Sequence, residues 1–329
     1  MNDVAARILN RLSKAGDFLS GEELCCDFGI TRSAVWKHIG LLRAEGYHID
    51  AVTGRGYRLS GMTGRPVEAE VAPFLTGQRF GRNMRYHGVT ASTNILAKSL
   101  AGEGSPEGSV VVADAQTGGR GRMGRIWESP SGVNLYFSLI LRPEVPSIRV
   151  PQLTLLVAAA IHQALTRVAP DLLPLIKWPN DILINGKKVC GVLCEMQSEP
   201  DFTHFVVVGI GINVNQAEMP NELQDIATSL FGETGRLFSR PELLASVLNH
   251  FEPLYDAWLL QEDLGFILPY LERYSLLQMK QVTIDQLKRT VSGTVSGISC
   301  GGELMLEGAD GQTILISSGE AHLRKENYN

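Results

Sequence analysis

An Asn185-Gly186 pair between two largely apolar runs, residues 181–184 and 187–196, constrains the fold of this chain more than any other feature. Both central positions of a type I′ turn need positive φ, which Asn and Gly adopt readily, and the twist of that turn suits antiparallel strands. The two runs are therefore expected to form a tight hairpin. A hairpin there breaks the strict strand–helix–strand alternation of a doubly wound fold. Around it the pattern reads as strands at 84–89, 109–115, 134–141 and 205–212, and as helices at 93–101, 151–168, 241–260 and 264–274. The expected class is α+β, with a central mixed sheet carrying its helices on one side.

Units of different texture flank this region. Val4, Ile8 and Leu12, joined by Ala5 and Leu9, recur at helical spacing. Ser20 followed by Glu23 is a capping-box signal for a second helix over 21–28, ended by Gly29. Thr31 can cap a third helix that turns Val35, Ile39 and Leu42 inward and leaves Arg32, Ser33, Trp36, Lys37 and Gly40 on the other face. Residues 47–59 then alternate like a hairpin with Thr53-Gly54-Arg55-Gly56 at its tip, which completes a winged helix-turn-helix pattern. From Gly29 to Leu59 there are five basic residues (Arg32, Lys37, Arg43, Arg55, Arg58) against two acidic ones (Glu45, Asp50). Positive charge is thus focused on the third helix and the wing, and Arg32, Ser33, Trp36, Lys37 and Arg55 are the expected DNA contacts. Protein contacts are the alternative use of such a unit. Residues 61–68 read as a linker. From residue 278 onward, short runs at 281–284, 290–298, 303–307, 313–317 and 321–324 suggest a small closing β unit. The expected domains are 1–64, 65–277 and 278–329, consistent with a length of 329 residues.

A net charge of −5 excludes a chain that is basic throughout, so any nucleic-acid contact must come from a local patch. The five cysteines (25, 26, 190, 194, 300) form no CxxC pair. Cys190 and Cys194 are expected as buried thiols on a strand, with metal binding the alternative. The amphipathic N-terminus has no signal-peptide core, and 153–165 is broken by Gln and His before reaching a membrane-helix length. The expectation is a soluble, cytoplasmic protein with no membrane partner.

The segment Gly119-Arg-Gly-Arg-Met-Gly-Arg125 matches GxGxxG in form, but Ile126-Trp-Glu-Ser-Pro130 follows it and starts no helix. A dinucleotide fingerprint fails on that context. Arg120, Arg122 and Arg125 among four glycines instead suggest a loop that embraces phosphate with backbone N–H groups and guanidiniums. The chain contains no GxxxxGK[ST] P-loop. Lys177-Trp-Pro-Asn-Asp181 ends in Asn180 and Asp181, which can bind metal, hold a polar ligand or make an Asx turn, the turn being the default. Lys188 leads an apolar strand, where it either snorkels to solvent or presents a fixed charge. Gly209-Ile-Gly-Ile-Asn213 permits close approach of a ligand, and Ser92-Thr93-Asn94 opens a helix where a cap is the default role.

Taken together and in this order, the five segments resemble the motif set of biotin–protein ligases, and the front unit resembles that of members doubling as biotin-operon repressors. The resemblance implies a class II synthetase/lipoate ligase-like catalytic domain and an SH3-like C-terminal barrel. It implies ATP- and Mg²⁺-dependent activation of biotin, with no metal cage made by the protein alone. Transfer to a biotin carboxyl carrier protein of acetyl-CoA carboxylase would follow. It further implies operator DNA as a partner and a homodimer when biotinyl-AMP is bound. It assigns the catalytic roles to Lys188, Arg122 and Asp181, and the biotin contacts to Ser92, Thr93, Asn94, Gln116, Arg120, Gly121, Arg122, Trp127, Lys188 and Gly191. The nucleotide falls to Arg120, Arg122, Asn180, Lys188, Asn213 and Arg324. This chain has Met123 where the family loop often carries a further basic residue, and 215–229 holds no tryptophan to fold over the adenine. A lipoate-type acyltransferase and a ligand-sensing repressor without enzymatic activity are the rival readings.

Overall fold

The computed structural model describes residues 3–199, 202–286, 289–308 and 310–323. Its first unit follows from local chemistry. Helix α1 (Asp3–Ala15) leads to α2 (Gly21–Phe28), where the Ser20 hydroxyl accepts from Glu23 N–H and the Glu23 carboxylate accepts from Ser20 N–H. The Thr31 hydroxyl caps α3 (Arg32–Ala44) by accepting from Ala34 N–H, without the reciprocal bond. Strands β1 (His48–Val52) and β2 (Gly56–Gly61) form the wing. Gly56 sits at φ +99°, and a Cβ there would press on Leu19 and Ser20, so only glycine lets the wing lie against the α1–α2 turn. Ile8, Leu9, Leu12, Val35, Ile39 and Leu42 form this unit's own core.

The linker is pinned. Glu70, on the short helix α4 (Glu68–Val71), is 2% exposed and accepts from the N–H groups of Thr63 and Gly64 and from the Thr63 hydroxyl. Ala69 on the same turn packs into the winged-helix core.

The central unit runs β3 (Asn83–Thr90), α5 (Thr93–Gly102), β4 (Ser109–Gln116), β5 (Leu135–Leu141), α6 (Gln152–Val168), β6 (Leu175–Lys177), β7 (Asp181–Ile184), β8 (Lys187–Ser198), β9 (Thr203–Ile212), α7 (Leu230–Thr234), α8 (Arg240–Gln261) and α9 (Leu268–Arg273). Its seven strands lie in the order β3-β4-β5-β9-β8-β7-β6, with β3/β4 parallel and the other pairs antiparallel. The hairpin forms as expected, with Asn185 at φ 50° and Gly186 at φ 78°.

The expectation of helices on one side is corrected. α6 and α8 cover the face bearing Val110, Val112, Leu139 and Val208, while α5 covers the opposite face at Val111, Ile140, Phe205 and Val207. α9 also begins four residues later than the sequence suggested. The segment Ser147–Val168, containing α6, is long and apolar enough to cross a membrane, with a mean hydropathy of 1.3, contrary to the sequence expectation. However, 72% of its apolar window is buried inside the protein, as befits a core helix.

The last unit pairs β10 (Gln281–Asp285), β11 (Thr290–Ile298), β12 (Leu304–Glu307), β13 (Thr313–Ile316) and β14 (Glu320–Leu323) in the order β13-β12-β11-β10-β14. This is a five-stranded antiparallel sheet. Its buried residues Val282, Ile284, Val295, Leu304 and Leu306 belong to the same core as the central sheet. The Trp178 indole N–H reaches across to Gly302 O at 3.1 Å.

A candidate active site between the central and C-terminal sheets

The floor of the site is made by glycines. β8 and β9 pair so that Gly191 lies opposite Gly211, with Leu193 opposite Gly209. A Cβ on Gly211 would stand 2.5 Å from Trp127 Nε1 and 2.8 Å from its Cζ2, and one on Gly191 would stand 2.9 Å from Cζ3. The indole therefore rests on bare backbone. Its Nε1–H is buried without a partner, and the Lys188 ammonium sits 5.3 Å from the ring centroid. Gly209 serves Asn94 in the same way, since a Cβ would lie 2.7 Å from its Cγ. The Asn94 amide donates to Leu193 O (3.3 Å) and Glu195 Oε2 (2.8 Å), and accepts from the Ser138 hydroxyl (2.6 Å).

The start of α5 supplies the polar end. Ser92 holds the N-cap position, yet its hydroxyl makes no capping bond, so the default capping role is corrected. Gln116 takes over that task, its Oε1 accepting from Thr93 N (2.8 Å) and from the Thr93 hydroxyl (3.3 Å). Ser92, Thr93, Asn94 and Gln116 all line one cavity of about 620 Å³.

Cations gather at its other end. Lys188 Nζ lies 2.7 Å from Asp181 Oδ1. Arg122 donates to Asn180 Oδ1 (3.1 Å) and, at a long 3.5 Å, to Gly319 O beside β14. Burial draws the Arg122 guanidinium below its ordinary pKa against the opposing pull of Asp181 and Glu320. Burial likewise lowers Lys177, again opposed by Asp181 and Glu320. Asn180 is itself fixed, donating to Val192 O at 2.9 Å, so it is more than an Asx turn. The Asn213 amide donates to Thr228 O (3.0 Å) and so closes the 213–229 loop over the cavity.

The loop is folded, with Arg120 bridged to Ile126 and Met123 in the left-handed region at φ 55°. Arg125 holds it to the C-terminal unit through a two-point pair with Glu320, one arm at 2.8 Å. Arg120, Gly121, Arg122, Trp127, Asn180, Asp181, Lys188, Gly191 and Asn213 thus join the α5 residues around one space. Arg324 lies outside the described residues. Sequence reasoning assigned no role to Glu320 or Lys177, or to the apolar wall of Met219, Pro220, Leu223 and Ile226. Lys177 stood in a quoted motif, whereas nothing local marked Glu320 as the partner of Arg125. Cys190 and Cys194 are thiols packed at the core, and burial pushes Cys194 up to about 11.

The winged helix presents a separate face. Ser33 and Lys37 are exposed, and Trp36 is 70% exposed. Arg32 is exposed beside Glu22 (3.2 Å). Arg55 stacks over Phe18 (4.3 Å) and lies 3.6 Å from Asp17, so the tip arginine has packing partners that its sequence did not suggest. Arg43 and Arg58 are spent internally, on Ile49 O and on Asp50.

The Biotin/lipoate A/B protein ligase family matches residues 86–213, and an HTH domain matches residues 5–58. The bifunctional ligase/repressor BirA of Bacillus subtilis is 43% identical over 307 residues, covering 92% of this chain and 94% of that protein. The Escherichia coli protein of the same name is 30% identical over 98% of each chain. Among solved structures, the biotin protein ligase of Aquifex aeolicus in complex with biotin and ATP superposes with a TM-score of 0.64 at 32% identity, covering 74% of this chain and 99% of its own. The chain belongs to the biotin/lipoate A/B protein ligase family and, within it, to the bifunctional ligase/repressors.

Proposed function

We infer that this chain activates biotin with ATP, transfers it to a lysine on the biotin carboxyl carrier protein of acetyl-CoA carboxylase, and represses transcription through its winged helix. The supporting observation is the single cavity in which the Trp127 indole, seated on Gly191 and Gly211, meets the cations Lys188, Arg122 and Lys177. In the first step a biotin carboxylate oxygen attacks the α-phosphorus of ATP, pyrophosphate leaves, and biotinyl-5′-AMP forms. Two anions must approach, so preorganised positive charge is what accelerates the step. In this reading Lys188 bridges carboxylate and α-phosphate, with Arg122 and Arg120 on the phosphates. Asp181 orients Lys188 at 2.7 Å. Ser92, Thr93 and Gln116, with backbone at Gly121 and Gly191, supply donors and acceptors for the uncharged ureido ring, Asn94 fixes the wall behind them, and Trp127 covers the tail.

The apolar wall at Leu223 and Ile226 would cover the adenine, and Asn213 with Asn180 would border the ribose. Mg²⁺ would arrive with the nucleotide phosphates and would need only one or two carboxylates beside them; Asp181 is the carboxylate that would lie near it. In the second step the carrier lysine amine attacks the acyl carbon, AMP leaves, and an amide forms. Asp181 is the nearby candidate to take the amine's proton once Lys188 turns to the phosphate. We assign 1–64 to operator binding, 65–277 to catalysis and 278–329 to closing the site, with a homodimer forming on biotinyl-AMP in the cytoplasm.

The deciding experiment is biotin-dependent exchange of pyrophosphate into ATP by the full chain, followed by transfer to a carrier domain. Exchange with biotin and none with lipoate is expected. Exchange with lipoate instead, or no transfer to any carrier domain, would defeat the reading.

A further inference from the structure

Helix α8 opens with a buried arginine that neither step above uses. Arg240 is 5% exposed, and its guanidinium donates to Gly64 O (3.2 Å), Asn134 O (3.2 Å) and Asp114 Oδ1 (2.9 Å). Those three partners belong to different functional parts of the molecule.

Asp114 shares a face of β4 with Gln116, two residues on. Asp114 accepts from the Ser131 hydroxyl (2.5 Å), and Gln116 donates to Ser129 Oγ (3.0 Å), so together they fasten 129–131, the continuation of Trp127. Asn134 leads to the other side of the cavity. Its Oδ1 accepts from Val214 N (2.9 Å) and its Nδ2 donates to Gln216 Oε1 (2.6 Å), while Gln216 O accepts from Ser229 (2.6 Å) and its side chain lines the cavity. Gly64 is the linker, its N–H held by Glu70 at 2.9 Å one residue from Ala69 in the winged-helix core.

We propose that Arg240 is the positioning residue through which occupancy of the active-site cavity is transmitted to the linker of the winged-helix unit. A guanidinium is a planar fork whose donors move together. Closure of the Trp127 segment or of the 213–229 loop on a ligand shifts Asp114 or Asn134, and the fork carries that shift to the Gly64 carbonyl. The path is a chain of hydrogen bonds, so it becomes a coupling only if removing the fork removes the response.

The inference rests on the ligand assignment above, and the test separates the two. Backbone hydrogen exchange is followed in the full chain with and without biotin plus ATP, in peptides covering 61–71 and 213–229. In the unsubstituted protein the ligands are expected to slow exchange at 61–71 at least threefold. In Arg240→Gln that slowing should vanish while slowing at 213–229 persists. Arg240→Lys keeps the charge without the fork and should retain less than half of the response; it is also the variant to read should Arg240→Gln not fold. A full ligand response at 61–71 in the variant that folds, or none in the unsubstituted protein, overturns the inference. Absence of slowing at 213–229 in the unsubstituted protein refutes the ligand assignment and the inference with it.

Discussion

Replacing Gly211 with alanine puts a methyl where the Trp127 indole now rests. Its Cβ would lie 2.5 Å from Nε1 and 2.8 Å from Cζ2, about 1 Å inside ordinary contact. The strand cannot yield, because β9 is paired on both sides, through Gly211 with Gly191 and with Tyr136. The indole must therefore lift, and overpacking of this kind costs about 1–3 kcal/mol. If ligand is held against the exposed face of the seated indole, that cost falls on the liganded state, and kcat/KM for biotin in pyrophosphate exchange should drop about 5- to 150-fold. The unliganded fold can relieve the clash by opening the loop, so its melting temperature should stay within about 3 °C of the parent. Gly191→Ala, which meets the same ring at 2.9 Å, should behave alike but more mildly. Parent-like kcat/KM in both variants would show that the seated indole has no part in binding. A collapse of melting temperature would show that Trp127 is structural.

Lys188→Met should lower the adenylation rate by about 100-fold or more, as loss of a preorganised charge does, with biotin-dependent pyrophosphate exchange as the assay. Glu320→Gln frees Arg125, whose side chain is 64% exposed; such a pair is worth at most about 1 kcal/mol, so KM for ATP should rise no more than about fivefold. The Arg125 hydrogen bond holds the Glu320 carboxyl below its ordinary 4.5. Its stabilising contribution is therefore complete above pH 4.5 and fades as pH falls further, so protease cleavage of the loop should rise in acid in the parent and be flat in Glu320→Gln. Arg55→Ala should weaken operator binding and flatten its dependence on salt, measured as the slope of log K against log salt concentration; an unchanged slope would remove Arg55 from the interface.

What could be read from the sequence was what chemistry writes locally. The Asn185-Gly186 turn, the Ser20/Glu23 box and the Thr31 cap each involve residues within four positions of one another, and all form. The clustered site residues were legible through motifs, and they converge on one cavity. The second covered face of the sheet was signalled but misread. Val110–Ala113 is an unbroken apolar run and Leu135–Leu141 is apolar save for Ser138, both buried at every position, which is the mark of strands covered on both faces. β6, with three residues, is too short to show a period. The Arg125–Glu320 pair and the Arg240 contacts join residues more than a hundred positions apart, and neither partner carries a local sign of the other.

The two flanking units relate to the centre in opposite ways. The C-terminal sheet shares one apolar core with the central sheet, whereas the winged helix keeps its own and touches the rest through the linker and α4. Loss of the head would therefore bare little of the central core beyond Ala69 and the linker contacts of Glu70 and Arg240. The tail is not so separable. Its deletion would expose the surface of the catalytic core that Val282, Ile284 and their neighbours cover, so a truncation near 278 should cost the centre its fold.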